Sequence, residues 1–211
     1  MNMEFYRLAR HTGNLFVLGF LLSANVYAME KGTEKSVQNA DSGVAYVWYE
    51  SGQKKTVYMS TSLVAEFPAV DSKSTMVQKA FPRAEMVDNK VRGITIWKID
   101  AKDVATAITA VKNVDASTQL SPVYYDENTG QRRALPGGVL IEFLASVDET
   151  QAQSWIREHG YVVVSVTGYE KKYYLISTEP GQESLDMANT IRTAEVVKNA
   201  SPNWWVEFFP R

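Results

Sequence analysis

Pro136-Gly137-Gly138-Val139-Leu140-Ile141-Glu142-Phe143 is the stretch from which the fold can be read outward. The proline and two glycines end whatever precedes them, and the five residues that follow form a β-rich apolar run, so a strand begins at Val139. Beyond it, Ser146-Val147-Asp148-Glu149 supplies a helix start. Ser146 or Asp148 can cap there, and Glu149 or Gln151 three residues on completes a capping box. Ala152, Trp155 and Ile156 share one face at helical spacing, and Gly160 suits a left-handed helix end. Residues 161–166 and 172–177 read as two strands joined by a hairpin through Gly168-Tyr169-Glu170-Lys171. After Glu179-Pro180-Gly181, Leu185, Ala188 and Ile191 trace a second helix with Ser184 as its cap, and Val196-Val197 leads into an extended Ser201-Pro202. The order is β-α-β-β-α-β. That is the split pattern of ferredoxin-like sandwiches, in which two helices cover one face of a four-stranded antiparallel sheet.

Toward the N-terminus the same unit is written again. An aromatic pair recurs about every eighty residues, as Trp48-Tyr49, Tyr124-Tyr125 and Trp204-Trp205, and a fixed period marks a repeated module. Ser51-Gly52-Gln53-Lys54-Lys55 matches Thr129-Gly130-Gln131-Arg132-Arg133, and Val64-Ala65-Glu66-Phe67 matches Leu140-Ile141-Glu142-Phe143. Ile96-Trp97-Lys98-Ile99 matches Tyr174-Leu175-Ile176-Ser177, and Leu120-Ser121-Pro122 matches Ala200-Ser201-Pro202. The first copy has its opening strand at 63–67 and a helix over 74–81 stopped by Pro82. A turn at Asp88-Asn89, a strand over 91–99 and a helix over 103–112 follow, with Val104, Ala107, Ile108 and Val111 inward. The expected fold class is therefore α+β, two tandem ferredoxin-like modules over 44–122 and 123–205, followed by a tail at 206–211. Modules of about 75 residues sit near the lower limit for independent folding, so their stability leans on each other or on a partner.

The first 28 of the 211 residues read as an address. Arg7 and Arg10 precede an apolar run over 15–22 that is too short to span a bilayer, and Val26-Tyr27-Ala28 offers a signal-peptidase cut; an uncleaved anchor helix is the other reading. Residues 29–43 are a polar lead-in of disordered composition. Of the formal charge of −2, the leader carries Arg7, Arg10 and Glu4, so the remainder is −3 and nothing suggests nucleic acid. With no cysteine, neither disulfide reinforcement nor lipidation at a thiol is available. The expected product is extracytoplasmic, periplasmic or secreted, with no membrane span once the signal is removed.

Catalytic chemistry is sparse. Beyond the leader His159 is the one histidine, beside a helix end, where exposure or a charge–dipole contact accounts for it. No Gly-x-Ser-x-Gly elbow occurs and no second histidine completes a triad or metal pair, so the expectation is no enzyme, no metal and no cofactor. Asp126-Glu127 and Asp148-Glu149 suit solvated or capping roles rather than acid–base work. Arg132-Arg133 and Lys54-Lys55 read as exposed basic turns, with dibasic cleavage sites as the alternative. Gly137-Gly138 lacks the pattern of a phosphate loop and reads as a turn. The aromatic pairs suit packing between one module's end and the next one's start, with a binding surface as the other possibility.

Residues 135–205 resemble the N-terminal propeptides of subtilisin-like serine proteases. The resemblance rests on Ala134-Leu135-Pro136-Gly137-Gly138-Val139-Leu140-Ile141-Glu142-Phe143, on the helix closing in Glu158-His159-Gly160, and on the ending Ala200-Ser201-Pro202-Asn203-Trp204. The first module looks like a diverged duplicate. The resemblance implies a domain whose sheet docks on a subtilisin-like protease, whose tail lies product-like in the substrate cleft, and which both inhibits and acts as an intermolecular chaperone for folding. No catalytic domain follows in this sequence, which leaves a stand-alone protease inhibitor or chaperone acting in trans, or a remnant that has lost its enzyme; the former is favoured. The candidate protease-binding residues are Phe208, Phe209, Pro210 and Arg211, with Arg211 nearest the catalytic serine. A tail frayed or folded back on the second module is the alternative for those residues. For the whole chain the alternative is a non-inhibitory extracytoplasmic binding or scaffold protein that retains the propeptide fold.

Overall fold

The computed structural model describes residues 42–67, 76–88, 93–100, 104–169 and 172–207, all within one compact unit. The expected signal peptide, most of the polar lead-in, the Asn89 turn residue, Glu170-Lys171 and the tail residues Phe208, Phe209, Pro210 and Arg211 lie outside the described residues. The chain is mixed α+β with antiparallel sheets and, among the described residues, four helices. No helix among the described residues is long and apolar enough to cross a membrane.

The second half follows the expected order. Its elements are β7 (Val139–Phe143), α3 (Glu149–Glu158), β8 (Val163–Thr167), β9 (Tyr173–Ile176), α4 (Gln182–Ile191) and β10 (Val197–Pro202). They form a sheet of order β10-β7-β9-β8, every pair antiparallel. Asp148 caps α3 in a complete capping box with Gln151, and Gly160 ends it at φ +73°. Alternation then sorts the strands. Val139, Ile141 and Phe143 join Tyr174, Ile176, Val197 and Ala200 on one face, where Ala152, Ile156, Ala188 and Ile191 cover them.

One local expectation fails here. Ser184 does not cap α4: the N-cap is Gly181 at φ +87°, and Ser184 is fully buried one turn inside, its hydroxyl donating to the Glu179 carbonyl and bonded to Thr178 Oγ1 at 2.7 Å. The loop residues before the helix use the serine for themselves, which is the usual competition between such side chains and helix backbone.

The first half has β2 (Gln53–Phe67), α1 (Met76–Ala80), β3 (Glu85–Asp88), β4 (Thr95–Lys98), α2 (Val104–Val114) and β5 (Gln119–Asp126). Its strands run β5-β2-β4-β3, the same order as in the second half. Val104, Ala107 and Val111 of α2 pack on Val64, Trp97, Ile99 and Leu120. The register, however, departs from the sequence match. Val64 pairs with Pro122 as Val139 pairs with Pro202, and Val64 pairs with Trp97 as Val139 pairs with Ile176. Glu66 therefore occupies the place of Ile141, not Glu142, and Trp97 that of Ile176, not Leu175. A slip of one residue exchanges the faces of a strand, so the two matched glutamates point to opposite sides of their sheets.

Three strands escaped the sequence reading. β1 (Ser42–Glu50) starts inside the expected lead-in and forms a hairpin with the first half of β2 through Ser51 and Gly52, both at positive φ. β6 (Arg132–Ala134) pairs with the end of β5, and β11 (Trp205–Val206) pairs with β6. The boundary drawn at 122/123 thus runs through the middle of β5, and residues 123–134 with 205–206 belong by hydrogen bonding to the first sheet.

Candidate functional site

The aromatic pairs meet where the two halves join. Alternation sends the first member of each pair to one side. Trp48, Tyr124 and Trp204 cluster with Val57, Leu135 and Leu185, ring centroids 5.3 Å apart for Trp48–Trp204 and 5.6 Å for Tyr124–Trp204, both edge-on. The second members go elsewhere. Tyr125 and Trp205 pack under the first sheet, while Arg192 lies 3.7 Å over the Tyr49 ring. Burial pushes the Tyr124 hydroxyl far above its ordinary value, with Tyr46 and Asp186 adding to it. Packing, rather than a binding surface, is the role of Trp48, Tyr124 and Trp204.

Arg132-Arg133 is neither an exposed turn nor an accessible dibasic site. Both lie in β6 with side chains mostly buried. The Arg132 guanidinium donates through Nε to Glu207 Oε2 at 2.8 Å and through Nη2 to Glu207 Oε1, and the Glu207 backbone NH donates to the Arg132 carbonyl at 2.9 Å. Gln131 Nε2 donates to the Glu207 carbonyl. Arg133 pairs with Asp126 at 3.0 Å and reaches over Trp48. Lys54, by contrast, is exposed in β2 and Lys55 half-buried beside it. In sequence, the candidate tail at 208–211 therefore follows directly on a clamped, buried glutamate. Sequence reading missed this because the partner strand is three residues long and basic.

The sheet of the second half has a side that no helix covers among the described residues. Leu140 and Glu142 of β7, Tyr173 and Leu175 of β9, and Asn199 and Ser201 of β10 are half-buried there, opposite the helix-packed set. Lys198 reaches Glu142 at 2.8 Å, and the hydrogen bond to Glu142 raises the ammonium above its ordinary value. A cleft of about 630 Å³ opens beside this pair, bounded by Phe143, Val147, Tyr174 and the ion pair Lys172–Glu149. The corresponding side of the first sheet is closed. Leu63, Ala65, Ile94, Ile96 and Val123 are buried there with Ala134 of β6, and Phe67 of β2, Tyr125 of β5 and Trp205 of β11 pack against them.

The remaining candidates have structural partners. His159 is exposed, its Nδ1 2.8 Å from the Trp155 carbonyl and its ring stacked 4.0 Å from Trp155. Asp126 organises the turn before β6. Burial pushes its carboxyl upward, but hydrogen bonds from the backbone of Thr129 and Asn128 and from the Thr129 hydroxyl, together with the Arg133 charge, outweigh burial and hold it below the usual carboxylate value. Glu127 accepts from Tyr58, Asp148 caps α3, and Gly137 and Gly138 take positive φ in the turn before β7. Among the described residues no three His, Cys, Asp or Glu side chains gather in a way that could hold a metal ion.

Comparison of the chain with protein-family models, with curated proteins and with solved structures finds no match.

Proposed function

We propose that this chain is an exported, two-module protein of ferredoxin-like halves that binds a subtilisin-like serine protease through its second module, inhibits it, and assists its folding without catalysis of its own. The observation that carries the reading is the contrast between the two sheets. Both halves share one strand order, yet the uncovered face is retained only in the half whose sequence resembles a propeptide. A half-apolar sheet face with one ion pair on it is suited to docking on a complementary protein surface. Under this reading Phe208, Phe209, Pro210 and Arg211 enter the substrate cleft, held at their base by the Arg132–Glu207 clamp.

The same clamp favours the second reading, a non-inhibitory scaffold. Trp204, Trp205, Val206 and Glu207 are all committed to the fold, so none of these four is free to enter a cleft. The test is titration of a panel of subtilisin-like proteases with residues 29–211 and with a version ending at Glu207, which keeps the clamp intact. Stoichiometric inhibition lost on shortening supports the inhibitor with its tail in the cleft. Inhibition retained by the shorter version removes the tail from the mechanism, and no inhibition of any protease by either version supports the scaffold.

A further inference from the structure

The described residues leave five strands at sheet edges, and four of them are guarded. β3 carries Glu85 and Asp88, β10 carries Lys198 and ends in Pro202, and β11 is only two residues long. β1 is covered from α4, whose Asn189 Nδ2 donates to the Val47 carbonyl at 2.8 Å while Arg192 stacks on Tyr49. Charges, prolines, brevity and covering elements are the devices by which proteins protect strand edges. β8 has no charge, no proline and no covering element among the described residues. From Tyr161 to Tyr169 the sequence carries no charge and no proline, and Val162, Val164 and Val166 are 66, 60 and 44 % exposed. Its one irregularity is a bulge between Val163 and Ser165.

We propose that β8 is a self-association edge, joined in an antiparallel pair to β8 of a second copy of this chain. The strand is self-complementary. A two-fold axis through Ser165 brings Val164 of each copy toward Val166 of the other, so no like charges meet and exposed valines gain cover. Closure about a two-fold consumes both free edges, so assembly stops at two chains. A pair of five-residue strands buries less than the roughly 1,200 Å² of a standard interface, so the dimer is weak, with a dissociation constant on the order of tens of micromolar. The inference is independent of protease binding, because the edge is distinct from the uncovered sheet face.

Sedimentation equilibrium of residues 29–211 from about 5 to 500 µM tests it across that affinity range. The expected result is a mass rising from one chain to two, with Val164→Lys or Val162→Lys weakening association about tenfold or more, and Met86→Lys on the guarded edge β3 leaving it unchanged. Circular dichroism of each variant, matching the parent, establishes that the exposed substitution has left the fold intact. A parent that stays monomeric at the highest concentration overturns the proposal. So does a dimer indifferent to both valine substitutions, or an assembly that grows past two chains.

Discussion

Glu66 is the residue at which the two halves differ most in chemistry. At the place where the second half buries Ile141, the first half buries a carboxylate, 4 % exposed. It is kept there by donors. Trp97 Nε1 bonds Oε2 at 2.9 Å, and the backbone NH groups of Met76 and Val77 at the start of α1 bond Oε1. A buried acceptor with its donors satisfied is tolerated, whereas removing it leaves those donors stranded, which costs about 1–3 kcal/mol for each uncompensated group in such sites. Glu66→Ala is accordingly expected to lower the unfolding free energy in urea by about 3 kcal/mol, and Glu66→Gln by less, since the amide oxygen still accepts. Equal stability of the alanine variant and the parent would remove the carboxylate from the account of α1 and Trp97.

Elements were legible where their signals were local. The capping box at Asp148, the glycine end of α3 and all five residues of β7 could be read because cap chemistry and period-two alternation act over a few neighbours. β6 and β11 could not, because two or three residues hold no period and their pairing joins Ala134 to Trp205 across most of the second half. The one-residue register error arose from the same cause. Composition alone aligns Glu66 with Glu142, and only the cross-strand partners Pro122 and Pro202 reveal that the faces are exchanged. The clamp on Glu207, the residue before the candidate tail, was not legible, because it depends on a long-range ion pair with no sequence signature. The glycine turn before β7 gives this scale its prediction. A Cβ on Gly137 would stand 2.7 Å from the Thr178 carbonyl oxygen at φ +105°, whereas one on Gly52, at φ +79°, meets nothing within 4 Å. Gly52→Ala is expected to cost about 1 kcal/mol for backbone conformation alone, and Gly137→Ala about 2–3 kcal/mol, the excess reporting the clash. Chemical denaturation of the two variants side by side decides it, and equal losses would mean that the turn relaxes without strain.

At the scale of the molecule, the question is whether two small halves fold as one. Each alone has a modest core, but the cluster of Trp48, Val57, Tyr124, Leu135, Leu185 and Trp204 draws side chains from both. Leu185 makes the coupling concrete, because α4 commits Ala188 and Ile191 to the second core and Leu185 to the shared one. β11 adds a backbone link by returning the chain to the first sheet. In the first sheet, Ala134 of β6 and Trp205 of β11 join the cluster on the face that corresponds to the uncovered one of the second, so the two halves are not duplicates in how that face is used. This arrangement predicts a single cooperative unfolding transition for residues 42–207. Trp204→Ala removes the ring that touches both Trp48 and Tyr124, and because this tryptophan is half-buried the loss is expected near the low end of the range for truncating a buried one, about 3 kcal/mol. Native-state hydrogen exchange is the measurement, because it reads α2 in one half and α3 in the other separately. Exchange of both helices should quicken together in the variant, since protection in each rests on the shared cluster. Faster exchange confined to α3, with α2 unchanged, would show two independently stable halves and would make the junction an incidental contact.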